Sequence, residues 1–86
     1  MTKISEARNL GPKSESELNQ MGINSLEQMI ELGWKKVCLE YIYFYPDKIN
    51  LNMITAIIGA IYNQDWRNVD PELKKEALEM IKAVRK

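Results

Sequence analysis

Histidine is absent from these 86 residues, and cysteine occurs once, as Cys38. The first absence removes the commonest general base and the commonest transition-metal ligand together. The second rules out a disulfide within the chain and suits a reducing, cytoplasmic setting. Charge excess of either sign is missing too. Lysine plus arginine equals aspartate plus glutamate at 12 each, for a formal net charge of zero and a pI near 6.3. A dedicated nucleic-acid binder more often shows a basic excess, so any such contact has to come from a local cluster. Long apolar runs are lacking as well. Met1-Thr2-Lys3-Ile4-Ser5-Glu6 does not read as a signal peptide. The longest apolar stretch, Ile49 to Tyr62, is interrupted by Asn50, Asn52 and Thr55 and falls short of the roughly 20 residues a membrane span needs. No membrane association is expected.

What remains is an ordinary globular composition, with 45% hydrophobic residues. A chain of this length is expected to form a single domain over residues 1–86, burying roughly 60–65% of its unfolded surface. The periodicity predicts an all-α fold, a compact bundle of five to six short helices. Lys3 to Arg8 suits one or two helical turns, with Ile4, Ala7 and Leu10 as the apolar set. Glu15 to Met21 reads as a short helix ended by Gly22 in the left-handed position. Ser25 caps the next helix, with Gln28 at the capping-box position, Leu26, Met29 and Ile30 facing inward, and Gly33 as the stop.

A longer helix is predicted from about Trp34 to Tyr45, with Trp34, Val37, Cys38, Tyr41, Ile42 and Tyr45 recurring at helical spacing. Pro46 is expected to end it. The β-forming run Tyr41-Ile42-Tyr43-Phe44-Tyr45 offers a strand as rival, without any partner strand to pair with. Asn50 caps a helix through about Asn63 that is apolar almost all round, the pattern of a central helix. Gln64 to Asn68 connects it onward, with Trp66 expected to fold back as a plug. Asp70-Pro71 then starts a last helix running towards Lys86, with Leu73, Ala77, Met80, Ile81 and Val84 on its inner face.

The most informative stretch is Asn9-Leu10-Gly11-Pro12-Lys13-Ser14. Gly11 can take a positive φ, Pro12 needs no backbone donor, and Ser14 with Glu17 three residues on reads as a capping box. A tight loop would thus open into a helix N-terminus with free amides and a lysine beside it, a place where a backbone phosphate can sit. Lys3, Arg8 and Lys13 outweigh Glu6 over residues 1–14, while Glu15, Glu17, Glu27 and Glu31 follow with no base before Gly33. The candidate phosphate or DNA contacts are Asn9, Gly11, Lys13, Ser14, Lys3 and Arg8. The alternative for the same loop is a plain joint between helices with no ligand.

Asn9 to Ser14, continued through Gly22-Ile23-Asn24-Ser25-Leu26-Glu27, resembles the helix-hairpin-helix pattern that opens the C-terminal domain of the TfoX/Sxy competence regulators. The likeness continues through Leu51-Asn52-Met53, Gly59-Ala60 and Trp66. Asn9 stands where the usual hairpin has a first glycine. A similar Asn-Leu-Gly-Lys-Lys-Ser hairpin occurs in the C-terminal domain of the bacterial RNA polymerase alpha subunit, which uses it on DNA. The resemblance implies a helix-hairpin-helix-like N-terminal half and a regulatory role close to DNA. In that family the domain usually follows an N-terminal domain, which is not expected within these 86 residues.

Other candidates read more plainly. The aromatic stripe of the Trp34–Tyr45 helix is core, with Tyr43 and Phe44 off its main face as candidates for contact with a regulatory protein partner or a second copy of the chain. Cys38 lies among apolar residues and reads as an inert thiol. Glu76 and Glu79 read as solvated, with Lys75 supporting Glu79 along the helix. No arrangement supplies a nucleophile, base or metal site, so neither enzymatic activity nor a cofactor is expected. The expectation is a non-enzymatic regulatory module with weak, salt-sensitive contact to DNA backbone. The alternative is a protein-interaction domain that binds no nucleic acid.

Overall fold

The computed structural model describes residues 1–48 and 50–84. A 3-10 turn at Ile4–Glu6 leads into α1 (Pro12–Gln20), α2 (Leu26–Leu32) and α3 (Trp34–Phe44). A second such turn, Pro46–Lys48, precedes α4 (Leu51–Tyr62), and a third, Trp66–Asn68, precedes α5 (Pro71–Val84). No strand occurs among the described residues, and Tyr41–Phe44 lie inside α3. The class is all-α. The expected continuation of the last helix to Lys86 falls outside the described residues.

Local chemistry explains most of the boundaries. Asn50 Oδ1 accepts from the Met53 amide at 2.9 Å to start α4, and Asn63 ends it in the left-handed region at φ 57°. Ser25 Oγ accepts from the Gln28 amide at 3.1 Å, while the Gln28 side chain accepts from the Asn24 amide at 2.9 Å. Gly22, at φ 86°, lets the Ile23 amide reach back to the Leu18 carbonyl at 2.9 Å, which satisfies a carbonyl the helix end leaves open. Asp70 Oδ1 accepts from the Glu72 amide at 2.8 Å, with Pro71 as the first residue of α5.

α4 lies at the centre, as its apolar pattern predicts. Ile54, Ile57 and Ile58 are fully enclosed, and Leu18 of α1, Met29 of α2, Val37 and Cys38 of α3, and Ala77 of α5 close around them. Gly59 completes this surface for a steric reason. A Cβ there would run into the Asn9 side chain and the Gln64 carbonyl. The chain on either side of the hairpin and the segment after α4 therefore meet over a glycine.

Five local expectations are corrected. Ser14 does not cap α1. The helix begins three residues earlier, with Gly11 at the cap and Pro12, whose φ is already helical, at the first position. Glu17 consequently points to Tyr41 and Lys48 and forms no capping box. The left-handed residue of the hairpin is Asn9, at φ 72°, whereas Gly11 is extended at φ −136°. Ile30 is half-exposed, because Leu26, Met29 and Leu32 already cover the inner side of so short a helix. Trp66 is 38% exposed and plugs nothing; Val69 is the connector residue that enters the core. Finally, the ion pair on this side of α5 is Glu76 with Lys35 of α3 at 2.7 Å, not Lys75 with Glu79.

Candidate functional site

The hairpin is placed from both sides. Leu10 is buried and anchors the loop, with its amide on the Ala7 carbonyl at 3.2 Å. Asn9 holds the outer turn. Its Nδ2 donates to the Gln64 carbonyl at 2.8 Å, and its Oδ1 accepts from the Trp66 amide at 3.2 Å. Both polar atoms of Asn9 thus serve the fold, so this residue positions the loop and does not reach outward. The two bonds also offset the cost of a left-handed non-glycine residue.

Beyond the loop, the first intrahelical bond of α1 runs from the Glu15 amide to the Gly11 carbonyl at 3.0 Å. The amides of Lys13 and Ser14 precede it and have no carbonyl within the helix to bond. Lys13 and Ser14 line an open cleft of about 340 Å³ together with Lys48, Asn50, Glu17 and Tyr41. Lys48 Nζ lies 2.7 Å from Glu17 Oε2, and the Tyr41 hydroxyl donates to Glu17 Oε1 at 3.1 Å. Burial pushes the Glu17 carboxyl up, but the bonds from Lys48 and Tyr41 outweigh it and hold the group below its ordinary value. Burial, reinforced by Glu17, pushes the Tyr41 hydroxyl up.

The acidic run after the hairpin is largely engaged inside the fold. Glu15 accepts from the Ser5 amide at 2.9 Å, and this bond holds its carboxyl low. Glu27 accepts from the Thr2 hydroxyl at 2.7 Å and from the Thr2 amide at 2.8 Å, with the same effect. Glu17 is paired with Lys48. The segment is therefore no bare acidic face, although Glu15 remains a negative charge in the first turn of α1.

Of the residues singled out by sequence, Lys13 and Ser14 share one cleft. Lys3 and Arg8 are exposed and lie apart: the field of Lys3 reaches Glu15, and that of Arg8 reaches Asp65. Gly11 is half-buried, and open space surrounds the position a Cβ would take. The family model of the TfoX C-terminal domain matches residues 1–81. The chain belongs to this family. A crystal structure of an uncharacterized protein from Listeria monocytogenes, in a triclinic form, has the same fold, with a TM-score of 0.90 at 21% identity. The alignment covers 98% of this chain and 94% of that one. No curated protein matches the sequence.

Two further features of this TfoX C-terminal domain stand apart from the hairpin cleft. Tyr43 is 83% exposed and Phe44 49%, their rings edge to face with centroids 5.6 Å apart. Trp66, Arg67 and Lys74 line a smaller cleft against the first half of α4. Sequence reasoning missed Lys48 as the second cation beside α1, and Arg67 and Lys74 as a pair. Lys48 follows Pro46-Asp47, and nothing local shows that this turn returns to Glu17. Cys38 is buried, which pushes its thiol up to about 12 and leaves it without nucleophilic character. No helix among the described residues is long and apolar enough to cross a membrane.

Proposed function

We propose that this TfoX C-terminal domain is a non-enzymatic regulatory module that contacts nucleic-acid backbone at the corner where the hairpin enters α1. The observation that carries this reading is Lys13 beside open helix-start amides, with Lys48, paired to Glu17, across the same cleft, on a chain with no net charge. In this reading the Lys13 and Ser14 amides and the Lys13 ammonium hold a phosphate, Arg8 and Lys3 add field from the flanks, and Asn9 and Gly11 shape the turn. Family membership favours a role in the control of DNA-uptake competence, exercised in the cytoplasm, where DNA and a reduced Cys38 are both at home.

A titration of duplex DNA across a salt series tests it. Binding should be weak and should fall with salt at a slope of roughly −1 to −4, the value for a few phosphates at about −0.9 each. Lys13→Glu should abolish binding and leave the melting temperature nearly unchanged, because Lys13 is exposed and makes no ion pair among the described residues. Absence of salt-sensitive binding by the unaltered chain at low ionic strength would end this reading.

The second reading is a protein partner or homodimer contact through Tyr43 and Phe44, favoured by the exposure of that aromatic pair. Under it, Tyr43→Ala with Phe44→Ala changes the sedimentation behaviour or partner capture of the chain while DNA titrations stay flat.

A further inference from the structure

Trp66 is the more informative of the two tryptophans. Trp34 is 5% exposed and part of the core, whereas Trp66 is 38% exposed on a surface turn. The Arg67 guanidinium lies 6.0 Å from the Trp66 ring centroid and is steered there by Asp65, which accepts from its Nε and its Nη2 at 3.1 Å each. Ring and guanidinium form one wall of a cleft of about 220 Å³, faced by Lys74 of α5 and by Leu51, Asn52 and Thr55 of α4. Among the described residues the cleft is lined by two cations, Arg67, which is paired to Asp65, and Lys74, and by no carboxylate. It therefore combines a flat aromatic surface, an apolar edge at Leu51, an amide at Asn52 and positive charge.

The same turn is tied to the hairpin. Asn9 bonds the Gln64 carbonyl and the Trp66 amide, so the Trp66 wall is carried beside the loop that leads into α1. Arg8 stands close enough that its charge, after that of Arg67, helps hold the Asp65 carboxyl down. From these placements we infer that the Trp66 cleft takes an unpaired base of a single-stranded nucleic acid whose backbone lies along Arg8, Arg67 and Lys74. The inference rests on the backbone-contact reading above and narrows its ligand from any duplex to a strand with accessible bases. Bases inside a duplex are already stacked and have no free face for an indole, while single strands bind by stacking on aromatics within a positive groove.

The experiment compares three ligands at low salt: a short oligothymidylate, an abasic oligonucleotide of equal length and phosphate count, and a duplex. Oligothymidylate should bind at least about fivefold more tightly than the abasic strand, in keeping with the stacking energy of one base. It should also quench the intrinsic tryptophan emission, and the abasic strand should not. Trp66→Ala should lower oligothymidylate affinity to the abasic level and leave the abasic affinity unchanged. Lys13→Glu should weaken all three ligands. Equal affinity for oligothymidylate and the abasic strand, with emission unmoved, overturns the base site while the backbone reading stands. Absence of binding by all three ligands overturns both. Quenching is read on the unaltered chain, so the test holds even if the Trp66 variant folds poorly. Lys74→Ala supplies a second variant, expected to lower oligothymidylate affinity several-fold with the ring intact.

Discussion

The hairpin side of the molecule and α4 both bury aliphatic side chains, Ile4, Leu18 and Ile23 on one and Ile54, Ile57 and Ile58 on the other, but the hairpin side adds directed bonds that α4 largely lacks. From Thr2 to Gln28 the chain is fastened by directed polar bonds: Thr2 to Glu27, Ser5 to Glu15, Asn9 to Gln64 and Trp66, and Glu17 to Tyr41 and Lys48. α4 is fastened by enclosure, with Ile54, Ile57 and Ile58 fully buried and few directed bonds from its side chains. A buried aliphatic side chain contributes about 1.5–3 kcal/mol by leaving water, against a net of about 0.5–1.5 kcal/mol for a typical hydrogen bond. Stability should therefore sit mainly in the enclosed aliphatic side chains, Ile54, Ile57 and Ile58 of α4 together with Ile4, Leu18 and Ile23, and less in the polar bonds. The polar clasps fix where Lys13, Arg8 and Trp66 stand, so position is controlled separately from stability.

The largest effect expected from breaking this contrast is at α4 itself. Ile58→Ala should cost about 2–5 kcal/mol, measured by chemical denaturation. A loss below about 1 kcal/mol would remove α4 from the centre. Next comes the junction between the two regions. Gly59→Ala should cost about 1–3 kcal/mol, because its methyl meets the Asn9 side chain and the Gln64 carbonyl. Introduced into an Asn9→Ala background, the same change should cost less, since one of the two obstructing groups is gone. Additive losses would show that Asn9 and Gly59 do not share this contact.

That junction also marks where the sequence stops being informative. The helices, the central place of α4, and the caps at Ser25, Asn50 and Asp70 were legible because each depends on spacing or on a neighbour within four residues. The start of α1 was misplaced because Pro12 and Ser14 are both start signals, and Pro12, with its preset φ, prevails. Asn9 was legible as a turn residue, but its partners lie 55 and 57 positions away, beyond any local rule. The same holds for Lys48 with Glu17 and for the cleft that joins Trp66 and Arg67 to Lys74. Lys13 and Ser14 were singled out as candidates, but local rules did not show that Glu17, Tyr41 and Lys48 share their cleft.

A smaller effect is expected from acid. The Glu17 carboxyl is held below its ordinary 4.5 in the folded chain, so its contribution is complete above about that pH and is lost as pH falls through the lower folded value. Glu15, Glu27 and Asp65 are lowered too. Glu17→Gln should therefore flatten, without abolishing, the loss of stability below about pH 4.5, and lower stability at neutral pH by about 1 kcal/mol. Thermal melts at several pH values check this. An acid limb identical to that of the unaltered chain would mean that the Lys48 and Tyr41 bonds to Glu17 do not survive in solution.

The smallest effect belongs to the ion pair between Lys35 of α3 and Glu76 of α5. The Lys35 and Glu76 side chains are 59% and 44% exposed, although their charged atoms are 2.7 Å apart. Glu17, in its pair with Lys48, is only 12% exposed and has Tyr41 as a second donor. Water and salt screen the exposed pair, and holding two long side chains together costs entropy. A double-mutant cycle on Lys35→Ala and Glu76→Ala should give a coupling of about 0.5 kcal/mol or less, fading with added salt. The equivalent cycle on Lys48 and Glu17 should give a larger coupling that salt reduces less, because the carboxylate is mostly enclosed. If the two couplings came out equal and equally salt-sensitive, enclosure at Glu17 would not be strengthening its bond. The Lys48 turn would then be no better anchored to α1 than two helices joined at an open surface.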